Sequence, residues 1–375
     1  MRKITVHLKN RSYPIVIGRR LLPSLGHLLK PLGLGRKILI VSNRKVAKRF
    51  LAPVFKTLVQ SGFQAFSYLL PHGDERDKSE RELSRLWTRM AQIPLDRTSS
   101  ILALGGGVVG DIAGFSASTY MRGISLIQVP TTLLAQVDSA IGGKTAIDLP
   151  SGKNIVGTFY QPRIVVSDVE VLRTLPPKEF QNSFAEVIKY GVIRDLELFE
   201  LLEQKTSRFL ASLRKRSLGL RELSFLETIV WRSARVKAGV VEHDERETKG
   251  ERMILNYGHT FAHGIEAASG FKMPHGEAVA TGMVLAGELA LRIGIFDGGA
   301  QNRQIDLIER TGLPTRINGR RFTSAKILSF MRRDKKAHDG RLKFVLPKKI
   351  GQVGLYDHIS EKLVRKTLDQ NRSRQ

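Results

Sequence analysis

The first half of the chain alternates short apolar runs with longer segments whose apolar positions recur at helical spacing. In segment 79–90, for example, Leu83, Leu86 and Met90 fall three or four residues apart, which places them on one face of a helix. The pattern predicts helices at 45–60 and 79–90 and strands at 4–8, 15–17, 37–41, 65–70, 100–104, 125–129 and 163–169. Alternating strands and helices indicate an α/β domain with a parallel sheet.

The pattern changes after Pro176 and Pro177, and almost everything that follows has helical periodicity. Helices are predicted at 180–192, 220–240, 252–268, 275–293 and 301–310, followed by short β-runs at 343–346 and 352–356 and a final helix. A chain of 375 residues is also long for a single core. We therefore predict two domains, an α/β domain over residues 1–178 and a helical domain over residues 179–375.

The amino-acid composition limits which metal ligands and nucleophiles the chain can supply. The hydrophobic fraction of 42% is typical of a globular protein. The sequence has no cysteine, which excludes disulfides, thiolate metal sites and cysteine nucleophiles, so any metal must be held by His, Asp or Glu. The N-terminal segment lacks the apolar region of a signal peptide, and no run of eighteen apolar residues occurs. We expect a cytoplasmic protein that does not span a membrane.

The formal net charge of +26 raises nucleic-acid binding as a hypothesis. The alternative is that the charge reflects a generally basic proteome or aids solubility. Lys and Arg are spread along the chain, and the compact basic runs at 214–216 and 348–349 are short. We favour this alternative. Some of the positive charge could also bind a small anionic substrate.

A glycine-rich loop follows the strand predicted at 100–104. Residues 105–111 read Gly-Gly-Gly-Val-Val-Gly-Asp, and an apolar helix start follows at 112–117. Glycines let the backbone approach an anion, and a helix N-terminus offers free N–H groups to a phosphate. A glycine cluster alone could be a tight turn, but the strand and helix around it favour a dinucleotide site. The loop follows several βα units rather than the first.

Three histidines and one glutamate suggest a metal site. His259 and His263 are four residues apart and share a helix face, His275 begins the next predicted helix, and Glu186 lies on an otherwise apolar helix. Two or three histidines with a carboxylate suit zinc that keeps an open position for substrate.

Each of these residues also has a plainer interpretation. Glu186 could pair with Lys189 on its own helix, and a single histidine is usually a core or cap residue. Thr260 stands where the HExxH motif has glutamate, which argues against a metalloprotease.

Several cationic and amide side chains lie in uncharged, motif-like surroundings: Lys144, Lys153, Asn154, Lys189, Lys237, Arg252, Lys335 and Lys336. Any single lysine is more often a solvated surface group. Together these side chains would suit a substrate that carries both a phosphate and a carboxylate.

The segments 104–160, 184–195 and 255–266 resemble, in the same order, three blocks of the 3-dehydroquinate synthase family. The resemblance extends from about residue 37 to about residue 346. It implies an N-terminal Rossmann-like NAD-binding α/β domain, an all-α C-terminal metal-binding domain, and an active site in the cleft between them.

The resemblance also implies residue roles. Glu186, His259 and His275 would bind a divalent metal, zinc or cobalt, with His263 near the substrate but outside the coordination shell. The implied cofactor residues are Gly73, Asp74, Glu75, Arg76, Asp77, Lys78, Gly106, Gly107, Val108, Val109, Gly110, Asp111, Thr131, Thr132, Lys144, Lys153, Val171, Leu172, Arg173 and Thr174. The implied catalytic residues are Asp138, Lys144, Lys153, Asn154, Lys189, Lys237, Arg252, Asn256, His263 and Lys335 or Lys336, with Arg122 at a position that family members can lend to a neighbouring subunit.

Two departures from the family pattern occur. Residues 73–75 read Gly-Asp-Glu where the family usually has Asp-Gly-Glu, and the stretch 244–252 is one residue longer than usual, so Lys237 is less firmly registered than Arg252.

The activity that the resemblance implies is that of an NAD- and metal-dependent lyase of the shikimate pathway. It would convert 3-deoxy-D-arabino-heptulosonate 7-phosphate to 3-dehydroquinate and phosphate, and act as a homodimer. Rival hypotheses are a sibling sugar phosphate cyclase of the 2-deoxy-scyllo-inosose or valiolone type, a metal-dependent polyol dehydrogenase, and, more remotely, a nucleic-acid-binding protein. The cyclase alternative is disfavoured because Lys237 and Arg252 suit a carboxylate, which the inosose precursor lacks.

Overall fold

The computed structural model describes residues 1–215, 217–317, 322–335 and 342–372. The chain forms two compact units: Met1–Leu175 with Leu223–Arg246, and Pro176–Glu222 with Glu247–Gln375. The first unit therefore includes a segment from the half of the chain that was assigned to the helical domain. The domain bounds at residue 178 stay a prediction.

A seven-stranded sheet in the order β1-β2-β9-β6-β5-β3-β4 runs through the first unit. Its strands are β1 (Arg2–Val6), β2 (Tyr13–Gly18), β3 (Lys37–Asn43), β4 (Gln64–Leu70), β5 (Ser100–Gly105), β6 (Ser125–Pro130) and β9 (Ile164–Asp168). Only β1 and β2 pair antiparallel, and the other neighbours are parallel. Every residue of β5 is buried, which explains why parallel strands appear as apolar runs rather than as alternating patterns.

The order of the strands places a ligand site. The chain runs from β3 to β4 on one side, and then returns to β5 and β6 on the other side of β3. In parallel sheets, ligands bind at the carboxyl ends of the strands where the order reverses in this way. The glycine loop follows β5 at that point.

Four α-helices lie between the strands along residues 1–130, all of which are described: α1 (Leu25–Leu29), α2 (Arg44–Gln60), α3 (Glu80–Gln92) and α4 (Gly107–Thr119). Side chains cap two of them: Asn43 accepts a hydrogen bond from the Val46 amide, and Ser79 from the Glu82 amide. A hairpin of β7 (Lys144–Leu149) and β8 (Gly152–Phe159) completes this part of the chain.

The described residues after 176 form eight α-helices: α5 (Pro177–Arg194), α6 (Leu196–Arg214), α7 (Leu220–His243), α8 (His259–Ala268), α9 (His275–Arg292), α10 (Gly298–Arg310), α11 (Ser324–Lys335) and α12 (Glu361–Asn371). Most of α7 belongs to the first unit. The second unit also contains an antiparallel hairpin of β10 (Phe344–Lys349) and β11 (Gln352–Tyr356). Within the described residues, no helix has both the length and the apolar content of a membrane span.

The predicted strands and most predicted helices are confirmed to within a few residues. The single helix predicted at 252–268 is wrong. A 3-10 helix (Glu251–Asn256) occupies the start of this range, and α8 begins only at His259. The two are separate because Gly258, with φ of 79°, interrupts the helical backbone. No range was predicted from the sequence for α6, α11 or the β7–β8 hairpin.

Candidate active site

Three helices of the second unit bring the predicted metal ligands together. Glu186 lies inside α5, whereas His259 and His275 are the first residues of α8 and α9. Nε2 of each histidine lies 3.4 Å from the same Glu186 oxygen, Oε1. One ligand atom from each residue lies within 4.8 Å of the others, so the three side chains converge on one point.

The far side of each imidazole is fixed by an acceptor. His259 Nδ1 lies 3.1 Å from the Tyr257 carbonyl oxygen, and His275 Nδ1 lies 3.1 Å from Glu266 Oε1. Since both partners can only accept, Nδ1 donates in each ring, and Nε2 is the nitrogen that faces Glu186. Acceptors of this kind are the usual outer neighbours of metal-binding histidines.

The electrostatics favour a cation at this point. Burial opposes ionisation, but Lys189 and the two histidines hold the pKa of Glu186 well below its usual range. Burial lowers the pKa of His259. Burial also opposes a charged His275, yet its hydrogen bonds to Glu186 and Glu266 raise its pKa to about 10. The carboxylates around His275 thus attract positive charge, and a divalent ion at Nε2 would take the place of the ring proton.

The structure also contains the ion pair between Glu186 and Lys189 that their spacing on one helix suggested. Its Oε2 pairs with Lys189, three residues along α5, and both side chains are buried. The ion pair and the histidine contacts use different oxygens of one carboxylate. Lys189 therefore offsets part of the negative charge without taking the oxygen that faces the histidines.

The other predicted residues of the second unit vary in exposure. The His263 ring lies 5.6 Å from the His259 ring, centre to centre. Arg252 is 1% exposed, and its Nε lies 3.5 Å from Glu247 Oε1. Asn256 is exposed at the end of its 3-10 helix. Lys335 ends α11, and Lys336 lies outside the described residues.

The glycine loop of the first unit leads directly into a helix. Gly106 is the N-cap of α4 and has no side chain to cap it, and Gly107, Val108, Val109, Gly110 and Asp111 form the first turns. Backbone N–H groups at such an end are available to an anion. Thr131 and Thr132 follow the neighbouring strand β6, and the Thr131 amide donates to the Gly105 carbonyl at 2.8 Å.

Lys78 connects the start of α4 with the β7–β8 hairpin. Its ammonium lies 2.8 Å from Asp111 Oδ2, 3.5 Å from a Glu75 oxygen and 3.9 Å from an Asp148 oxygen, and it donates to Asn154 Oδ1. Burial would lower the pKa of Lys78, but the carboxylates raise it above its usual value. Burial also raises the pKa of Asp111 to about 6, with Lys78 opposing that shift. Lys78 is thus the shared counter-ion of three carboxylates.

The predicted 73–78 cofactor segment is ordered around two aspartates. Asp74 accepts from the Arg76 amide and side chain, and buried Asp77 accepts from the amides of His72 and Gly73. The Gly-Asp-Glu order thus puts a capping aspartate at position 74.

The remaining predicted residues of the first unit lie on several elements. Lys237 of α7 donates to both Oδ1 and the carbonyl of Asp138, each at 2.8 Å. Three predicted residues on the β7–β8 hairpin are exposed: Lys144, Lys153 and Asn154. Exposed Arg122 has φ of 68°. A 3-10 helix, Val169–Thr174, contains Val171, Leu172, Arg173 and Thr174.

Sequence reasoning missed Glu266 as a member of the metal site. Residues 259, 263 and 266 are spaced by four and three on α8 and so share one face. That spacing was the signal that could have identified it.

Family models and curated relatives together cover nearly all of the chain. The family model described as 3-dehydroquinate synthase N-terminal matches residues 67–182, and the one described as 3-dehydroquinate synthase C-terminal matches residues 183–337. The chain belongs to the 3-dehydroquinate synthase family. Curated relatives with the name 3-dehydroquinate synthase include those of Microcystis aeruginosa, 44% identical over 99% of both chains, and Pelobacter propionicus, 45% identical over 97% of this chain and 98% of that one.

Solved structures agree on the fold of this family member. A 2-epi-5-epi-valiolone synthase from Streptomyces hygroscopicus with bound NAD+ and Zn2+ has a TM-score of 0.85 and 26% identity, over 97% of this chain and 98% of that one. A 2-deoxy-scyllo-inosose synthase complexed with carbaglucose-6-phosphate, NAD+ and Co2+ has a TM-score of 0.84 and 25% identity, over 99% and 100%. The sibling cyclases are thus more distant in sequence than the 3-dehydroquinate synthases.

Proposed function

We propose that this chain converts 3-deoxy-D-arabino-heptulosonate 7-phosphate to 3-dehydroquinate and phosphate, as a lyase of the shikimate pathway. The observation that carries the proposal is the convergence of Glu186, His259 and His275 in a member of the 3-dehydroquinate synthase family. Identity of 44% over nearly full length favours this reaction over those of the sibling cyclases at 25–26%.

The residues fit a divalent metal. A carboxylate and two imidazoles offer three ligand atoms, both rings are oriented through Nδ1, and three protein ligands leave a position for substrate. The donor set has no sulfur because the sequence has no cysteine, so it suits zinc or cobalt bound by nitrogen and oxygen.

The residues also fit NAD. The first unit offers an uncapped helix N-terminus after β5, at the point where the strand order reverses. NAD and metal are bound by the related cyclases named above. When bound, NAD supplies a reversible hydride acceptor and the metal acidifies a substrate hydroxyl, which together explain a lyase that needs a redox cofactor.

The chain's own residues would bind and orient the reactants. In the second unit, Arg252 and Lys189 are buried cations, and an anionic substrate group near them would be held by charge-assisted hydrogen bonds. His263 lies beside the metal ligand His259, where its imidazole would transfer a proton to or from the substrate. In the first unit, the exposed residues Lys144, Lys153 and Asn154 of the β7–β8 hairpin would contribute further donors.

The proposal extends to assembly and location. We place the enzyme in the cytoplasm as a homodimer, with Arg122 available to a neighbouring subunit. Exposed Arg122 in a left-handed backbone conformation is compatible with that role. Sedimentation of the purified protein would give the oligomeric state, and an Arg122→Ala dimer of unchanged activity would contradict the shared-site role.

The direct test is turnover. The purified protein, loaded with zinc and catalytic NAD, is mixed with the heptulosonate 7-phosphate, and released phosphate and dehydroquinate are followed together. Equal amounts of both products without net NADH would establish the reaction. Cyclisation of glucose 6-phosphate or sedoheptulose 7-phosphate instead would assign the chain to a sibling cyclase, and bulk NADH would indicate a dehydrogenase.

The ligand assignment has its own test. His275→Ala removes one of three ligands, so bound metal and turnover should both be lost. Metal analysis of the dialysed variant measures the first directly. Full metal content with full turnover would refute the assignment of His275.

A further inference from the structure

One buried hydroxyl beside the glycine loop has no assigned role. Ser139 is the last residue of a π-helical turn, Ala135–Ser139, that follows β6. Its Oγ is buried and has no hydrogen-bond partner within the described part of the chain. It faces the glycine loop closely, since a Cβ added to Gly107 would lie 3.0 Å from Ser139 Oγ.

A second buried hydroxyl beside the glycine loop also lacks a hydrogen-bond partner among the described residues. Thr131, which is 5% exposed, has a buried Oγ1 with no hydrogen-bond partner among the described residues. Folded proteins rarely leave buried hydroxyls without partners, because each such group has lost its hydrogen bonds to water. Among the eight hydroxyls of the described residues that are in this state, Ser139 and Thr131 lie beside an uncapped helix N-terminus, where a bound anion would accept from them.

The local backbone supports a functional reason for this position. Single π-helical turns are rare and occur frequently at functional sites. In this turn, Asp138 accepts a hydrogen bond from Lys237 at 2.8 Å, while the next residue, Ser139, contacts Gly107. The turn thus holds two consecutive polar side chains. Asp138 has a partner within the protein, whereas the Ser139 hydroxyl has none among the described residues.

We propose that Ser139 is a further cofactor-binding residue, whose hydroxyl donates a hydrogen bond to the pyrophosphate of a dinucleotide at the N-terminus of α4. A pyrophosphate oxygen only accepts, and the hydroxyl of Ser139 needs an acceptor. The free N–H groups at the start of α4 and the bare Gly107 beside Ser139 suit the same anion. The inference rests on the proposed use of NAD and adds a residue to that site.

The test compares two ligands and two serines. Titration calorimetry measures the binding of NAD and of ADP-ribose, which keeps the pyrophosphate but lacks nicotinamide, to the wild type and Ser139→Ala. Ser100→Ala is the matched control, because Ser100 Oγ is also buried without a partner among the described residues. It begins β5, five residues before Gly105, or roughly 16 Å from the loop end of that strand.

The expected result is that Ser139→Ala binds both ligands about tenfold to a hundredfold more weakly, as for loss of a hydrogen bond to a charged acceptor. The melting temperature of the ligand-free variant should not fall, because the hydroxyl has no protein partner to lose. Ser100→Ala should bind both ligands as the wild type does.

Three results would overturn the inference. The first is unchanged affinity of Ser139→Ala for both ligands. The second is a loss for NAD alone, which would place the hydroxyl at the nicotinamide end. The third is a fall in the ligand-free melting temperature with a similar affinity loss in Ser100→Ala, which would mean a structural role. A wild type that binds neither ligand would instead refute the proposed NAD site itself.

Discussion

Glu266 gives the sharpest test of how the metal site is built. It is not one of the three converging ligands, yet its Oε1 accepts from His275 Nδ1 at 3.1 Å. The hydrogen bond orients the ring and increases the electron density at Nε2. Changing Glu266 should therefore weaken metal binding while leaving Glu186, His259 and His275 in place.

The structure permits a graded estimate. Loss of such an outer carboxylate typically weakens metal affinity by about tenfold to a hundredfold, or about 1.4 to 2.7 kcal/mol. Glu266→Gln keeps an oxygen acceptor but loses the charge, so it should lie near tenfold. Glu266→Ala loses both the acceptor and the charge, so it should lie near a hundredfold.

The assay is competition for zinc between the chelator-stripped protein and a chromophoric chelator. Glu288→Gln is the matched control, since Glu288 lies on the same helix as His275 and accepts a hydrogen bond from Asn371 at 2.9 Å rather than from a histidine. The control should bind zinc as the wild type does. Equal zinc affinity in the wild type, Glu266→Gln and Glu266→Ala would show that the Nδ1 contact does not tune this site.

Two further predictions concern stability. Burial raises the pKa of Asp111 from 3.8 to about 6. The ionised carboxylate therefore lowers the free energy of unfolding above pH 6, and this effect disappears below pH 3.8. Asp111→Asn should gain up to about 3 kcal/mol relative to wild type between those limits, and a pH-independent difference in urea unfolding would contradict this. Gly258→Ala should lower the melting temperature and weaken zinc binding, because φ is 79° and the new Cβ would lie 2.8 Å from the Met283 amide nitrogen. Gly298→Ala, where nothing lies within 4 Å of the added Cβ, is its control and should melt as the wild type does.

The sequence by itself predicted the parallel sheet and the position of the glycine loop. Buried strands such as β5 are continuous apolar runs of few residues, so local composition is enough to identify them. Helix starts were equally local, as at Ser79, whose side chain accepts from the Glu82 amide. The same locality explains the error at 252–268, where periodicity continues across Gly258 although its backbone does not.

The residues of the candidate site were predicted as a set, but their arrangement was not. The pair of Glu186 with Lys189 is local to α5 and could be anticipated, but nothing local shows that the other Glu186 oxygen faces two histidines, because those contacts join α5 to helices more than 70 residues further along the chain. The role of Lys78 as counter-ion of Glu75, Asp111 and Asp148 likewise depends on packing, because Asp111 lies on α4 and Asp148 on β7.

Sequence therefore determined which chemical groups this protein has and which local elements hold them. Tertiary structure alone decided which polar groups have partners and which do not. Glu266 became part of the metal site through its contact with His275, and Ser139 became a candidate ligand through burial without a partner among the described residues. The spacing along α8 places Glu266 on the face of His259, but its contact with His275 depends on how α8 and α9 pack, and the burial of the Ser139 hydroxyl depends on the packing around it.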